Sequence, residues 1–161
     1  MPRLQLRIEL SQQRLICSEL GRIIRSYPVS TAVNGPGELC GSGCTPRGRH
    51  RIRLKIGDGC EENTVFVARR PTGEHFSRQL AASEPERDWI LTRILWLTGI
   101  EKGKNRGGDV DSLRRFIYIH GTPEDQPMGV VASHGCIRMR NRDLIDLFDR
   151  VENGTLVEIV E

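Results

Sequence analysis

The chain has 161 residues, 37% of them hydrophobic and 28% charged, with a net charge of +3. That is the length and balance of one globular domain, spanning 1–161, able to bury a core without disulfide or metal staples. With two Trp, two Tyr, four Phe and no dominant Lys/Arg run, it lacks a nucleic-acid signature and suits an anionic substrate or an acidic polymer.

The opening stretch, MPRLQLRIELSQQRLIC, alternates apolar and polar residues. A secretory signal needs a continuous apolar segment of roughly 7–15 residues. A membrane span needs ~18, and no stretch approaches that. The expectation for the chain as written is therefore cytoplasmic, or periplasmic if a precursor segment is removed.

Leu4, Leu6, Ile8 and Leu10 alternate with polar residues, the period of a half-buried strand. RLIC and RIIRSYPVST read as two more strands, with Gly21 at the bend, giving an antiparallel meander. Asn34 to Gly48 is a Gly- and Pro-rich loop. HRIRLKI follows as a strand with Ile52, Leu54 and Ile56 on one face, then TVFVARR from Thr64. The stretch from Pro71 to Asp88 shows no firm period. ILTRILWL, Ile90 to Leu97, suits a buried strand or a short helix, and its Ile, Leu and Trp content favours the strand.

Glu101 to Ser112 is a second polar loop. FIYIH, Phe116 to His120, is a strand ending on a histidine and followed by Gly121. Asn141 is placed to cap a helix over 142–151, whose apolar face holds Leu144, Ile145, Leu147, Phe148 and Val151. Asn153-Gly154 ends it, and TLVEIV is the last strand. The pattern predicts a mainly β, sandwich-like fold of mixed sheets with one C-terminal helix before the final strand. No repeat or linker divides it.

The five cysteines are Cys17, Cys40, Cys44, Cys60 and Cys136. An odd count leaves one unpaired in any all-disulfide scheme, and a reducing compartment would keep all as thiols. Cys40 and Cys44, with Cys60 and His50, invite a zinc reading, but a second paired ligand element is missing. A Cys40–Cys44 disulfide is the other special reading. A plain glycine loop with two thiols is favoured over both.

The chemistry concentrates at SHGCIRM, Ser133 to Met139. Cys136 suits a buried thiol or a nucleophile; a nucleophile needs a nearby imidazole to take its proton and pass it to a leaving group. Two histidines compete. His134 is two residues away, on the same side if the segment is extended. His120 ends its strand 16 residues earlier, and the loop between can return the chain beside its own start. Gly135 lets a substrate approach the backbone, and N–H groups near Gly135 and Cys136 would form an oxyanion hole if they face the cleft.

HGTP at 120–123 followed by SHGCIRM at 133–139 resembles the signature of the L,D-transpeptidase catalytic domain, also called the YkuD domain. SQQRL, SYPVSTAVNGPGE and TPRGRHRI resemble its early strands and loop, so the likeness covers nearly the whole chain. The resemblance implies His120 as general base, Cys136 as nucleophile, and the Gly121 carbonyl as the group orienting the imidazole. It implies Ser133, His134 and Arg138 as substrate contacts, with Ser133 also supporting its loop and Arg138 offering a fork to a carboxylate.

The implied activity is transfer between peptidoglycan stem peptides, with no metal or organic cofactor needed. Cys136 would attack the carbonyl of the third residue of a tetrapeptide, the terminal D-alanine would leave, and a stem-peptide or D-amino-acid amine would accept the acyl group. Water as acceptor would make an L,D-carboxypeptidase acting on soluble or recycled muropeptides. A third reading is a peptidoglycan-peptide binding module without turnover. Most members carry a signal or anchor, and this chain as written shows neither.

Overall fold

The computed structural model describes residues 3–161. Its ten strands belong to one sheet: β1 (Leu4–Glu9), β2 (Arg14–Glu19), β3 (Arg22–Ser30), β4 (Gly48–Ile56), β5 (Thr64–Val67), β6 (Arg70–His75), β7 (Ile90–Gly99), β8 (Tyr118–Gly121), β9 (Ile137–Met139) and β10 (Leu156–Val160). Two α-helices join them, α1 (Arg78–Ser83) and α2 (Asn141–Arg150).

The sheet closes on itself. Its order runs β4-β10-β1-β2-β3-β9-β8-β7, and β7 then pairs again with β4. The closure uses Ile94–Gly99 of β7, while Ile90 and Leu91 of the same strand pair with β5. The β5–β6 hairpin therefore hangs off the ring at one end of β7. Two pairings are parallel, β1 with β10 and β8 with β9, and the rest are antiparallel. The result is barrel-like, mainly β and mixed, with the helix before the last strand.

Alternation explains the interior. Leu6 and Ile8 of β1 are buried, as are Leu15 and Cys17 of β2 and Val157 and Ile159 of β10. Leu144, Leu147 and Phe148 on one face of α2, with Val151 just beyond it, join the same core. Each such side chain, taken fully out of water, contributes about 1.5–3 kcal/mol. Cys17 is part of this core.

Three local expectations differ. Leu54 is exposed, because the β4–β7 register shifts between Ile52 and Leu54 and breaks the alternation. The stretch without a firm period contains β6 and α1, the latter capped by Ser77, whose hydroxyl accepts from Leu80 N–H. Asn141 is the first residue of α2, with Arg140 at the cap position. Its amide is drawn inward by tertiary partners.

Candidate active site

The parallel pairing of β8 with β9 sets the site. Ile119 lies opposite Ile137, His120 opposite Arg138 and Gly121 opposite Met139. Ile119, Ile137 and Met139 fill the core. By the two-residue period of a strand, His120 and Arg138 then face the other side, together with Tyr118 and the position of Cys136 just ahead of β9.

His120 is almost fully buried, 2% exposed. Its Nδ1 lies 2.7 Å from the Gly121 carbonyl oxygen. A carbonyl only accepts, so Nδ1 carries the hydrogen and Nε2 keeps its lone pair. The Gly121 peptide is fixed in turn. A side chain at Gly121 would collide with Asn141 Oδ1 and Leu91 O. Asn141 Nδ2 donates to Thr122 O at 3.1 Å and to Asn63 Oδ1 at 3.1 Å, while its Oδ1 accepts from Thr92 Oγ1 at 2.7 Å. Thr92 sits at φ +78 in a β7 bulge. A β-branched residue there costs of order 1–3 kcal/mol, which the surrounding bonds must offset.

Cys136 Sγ donates to Phe116 O at 3.3 Å and accepts from Tyr118 N–H at 3.4 Å. Its loop is stapled from beneath. Ser133 Oγ donates to Cys136 O at 2.6 Å and accepts from Gly135 N–H at 3.3 Å. Thr45 Oγ1 donates to Gly135 O at 2.9 Å. Gly135 has φ +133, which suits only glycine. Arg115 holds the neighbouring glycine-rich loop by donating to Cys44 O at 2.7 Å and Glu38 O at 3.1 Å.

Burial pushes the Cys136 thiol up to about 11, against the pull of the Tyr118 N–H and of the Arg138 and Arg115 charges; Asp88 adds to the rise. Burial likewise holds His120 below the ordinary histidine value. The resting pair is therefore neutral thiol and neutral imidazole, and proton transfer accompanies attack.

A sequence model of the L,D-transpeptidase catalytic domain (YkuD) matches residues 4–159. This chain belongs to that family. A 65-residue segment is 43% identical to the Bacillus subtilis (strain 168) protein YkuD, whose name assigns it to the L,D-transpeptidases; it covers 37% of this chain and 40% of that one. The fold is similar to an L,D-transpeptidase from Mycobacterium smegmatis, with TM-score 0.62 and 18% identity over 99% of this chain and 59% of that one. It is also similar to L,D-transpeptidase 3 from Mycobacterium tuberculosis in complex with a faropenem-derived adduct, with TM-score 0.61 and 18% identity over 99% of this chain and 61% of that one. This chain thus spans about three-fifths of those solved chains.

Within this L,D-transpeptidase domain, the expected site residues fall into four groups. His120 and Gly121 lie on β8, and Cys136, one residue ahead of the neighbouring β9, is tied to the same strand by the Tyr118 N–H. His134 is exposed on a bend, where Gly135 turns the backbone, so the same-side argument from an extended segment does not hold.

Ser133 and Gly135 are joined within the loop. Ser133 is 2% exposed, with its hydroxyl donating to Cys136 O. The Gly135 N–H donates to that hydroxyl at 3.3 Å. Arg138 is 8% exposed, and its guanidinium is occupied by Asp88 Oδ1 at 3.3 Å, Ala132 O at 3.2 Å and Gln126 Oε1 at 3.4 Å. The expected free fork for a carboxylate is thus already in use.

The zinc reading gathers no ligand set. His50 is buried, with Nδ1 3.0 Å from Gly48 O and Nε2 2.8 Å from Ser112 Oγ. Among the described residues no three His, Cys, Asp or Glu side chains form a metal cluster. All five cysteines are free thiols. Sequence reasoning missed Asn141, Arg115 and Tyr118 as parts of the site. Asn141 had a local explanation as a cap, and nothing local marked the other two.

Proposed function

We propose that this domain is a cysteine acyltransferase acting on peptidoglycan stem tetrapeptides. The observation that carries the reading is His120, with Nδ1 committed to Gly121 O and Nε2 left basic, on the strand whose Tyr118 N–H donates to Cys136 Sγ. Nε2 takes the Sγ proton as sulfur attacks the carbonyl carbon of the third residue. The tetrahedral intermediate collapses to a thioester, and the imidazolium returns the proton to the departing D-alanine nitrogen. An acceptor amine then attacks the thioester and gives its proton to Nε2, which returns it to sulfur. Water in place of the amine gives the carboxypeptidase product.

Two probes test this in reduced protein. A disaccharide-tetrapeptide, with and without a D-amino acid, should give an acyl adduct or exchanged product, absent from Cys136→Ala. Faropenem, named in the adduct of the M. tuberculosis relative, should acylate the wild-type thiol and leave Cys136→Ala unmodified. Tetrapeptide binding without adduct or product would favour the binding-module reading.

A further inference from the structure

Arg69 lies on the β5–β6 hairpin, outside every motif of the sequence. Ala68 and Arg69 make its turn with φ 49 and φ 65, two successive left-handed residues that are not glycine. The turn delivers the Arg69 guanidinium over two neighbouring aromatic rings, whose centroids are 6.1 Å apart. Its centre stands 4.8 Å from the Trp96 ring and 4.8 Å from the Phe116 ring. One Nη donates to Tyr118 Oη at 3.0 Å.

Two of these three residues hold the thiol. Phe116 supplies the carbonyl that accepts from Cys136 Sγ, and Tyr118 supplies the N–H that donates to it. Arg69 is therefore mounted on the wall of the nucleophile's cleft, on the side chains of residues whose backbone touches sulfur.

The two other arginines that bear on the thiol are already used. Arg138 is bonded to Asp88, Gln126 and Ala132. Arg115 is bonded to the carbonyls of Gly37, Glu38 and Cys44. Of the five N–H donors of a guanidinium, Arg69 uses one, on a neutral phenol. Among the described residues no carboxylate is bonded to it. A guanidinium held over two rings is oriented before any ligand arrives, so an oxyanion it binds costs little ordering.

We propose that Arg69 is the carboxylate receptor of the donor peptide and takes the part that sequence reasoning gave to Arg138. The inference rests on the peptide-donor reading above. The carboxylate is either the donor's free C-terminus or one on a side chain, and the test separates these.

The test is binding of three donors to reduced Cys136→Ala protein, which needs no turnover. The donors are the disaccharide-tetrapeptide, its C-terminal carboxamide, and a form amidated on the side-chain carboxylate. One amidation should weaken binding about 10- to 100-fold, the size of a lost charge-assisted pair. Cys136→Ala/Arg69→Gln should show the same loss with the free acid and no further loss with that amide. Arg69→Lys in the same background should recover part of the affinity, because charge remains while the fork is lost.

Equal affinities before and after Arg69→Gln would overturn the proposal. So would a uniform loss across all three donors, which marks a structural role, or no measurable binding of any donor. Turnover by the enzyme with intact Cys136 tests the acyl-transfer reading separately, so the two can fail independently. Thermal unfolding of each variant confirms that it is folded.

Discussion

His120 Nδ1 donates to the carbonyl of the residue that follows it, Gly121, at 2.7 Å. This one bond fixes the tautomer and aims Nε2 away from the strand backbone. Burial disfavours the imidazolium, so the base form persists below the ordinary histidine pKa of ~6.5. The acid limb of kcat/KM should therefore lie below about 6.5. Alkylation of Cys136 by iodoacetamide should keep rising with pH toward about 11, the value to which burial pushes the thiol. An alkylation profile already flat near the ~8.5 of a free cysteine would contradict this electrostatic account.

Asn141 holds the carbonyl that follows the one orienting His120. Its amide joins Thr122, Asn63 and Thr92. Asn141→Leu removes all three bonds and leaves buried partners unsatisfied, at a cost of about 1–3 kcal/mol. Asn141→Asp cannot donate to Thr122 O. Both variants should lower kcat about tenfold or more with little change in KM, because the base loses aim while the binding surface stays. Steady-state kinetics with thermal unfolding of each variant checks this. A change confined to KM would contradict it.

Ser133 acts through its hydroxyl, between Cys136 O and Gly135 N–H. Ser133→Ala should destabilise the protein by about 1 kcal/mol or more and slow acylation. Ser133→Thr keeps the hydroxyl and should retain most of the rate. Equal rates for Ala and wild type would remove the loop-support role.

His50 predicts a stability profile. Burial holds its pKa down to about 4 in the fold, against ~6.5 unfolded. The unfolded chain therefore binds the proton first as pH falls. The neutral ring's contribution is full above about 6.5 and is lost as pH drops to about 4, a change of order 3 kcal/mol. Chemical denaturation of wild type and His50→Gln at pH 7 and pH 4.5 should show the wild type losing more stability. Equal losses would contradict it.

Much of the ring was legible because Leu6, Ile8, Leu15, Val157 and Ile159 obey a period of two. The α2 face was legible from the helical spacing of Leu144, Leu147 and Phe148. β6 was not, because RPTGEH is nearly all exposed and its pairing with β5 is a tertiary matter. Leu54 misled because a bulge is invisible in alternation. In the site, His120 and Cys136 stood out as residue types with a motif around them. The occupation of Arg138 by Asp88, 50 residues away in sequence, and the inward turn of Asn141 arise only when distant strands meet.

The most direct measurement is intact-protein mass spectrometry of the reduced enzyme mixed with disaccharide-tetrapeptide, beside Cys136→Ala and His120→Gln. The account predicts an acyl adduct or exchanged product with wild type, none with Cys136→Ala, and sharply slowed acylation with His120→Gln. Adduct or product that persists in Cys136→Ala, or none from folded wild-type protein, would contradict it.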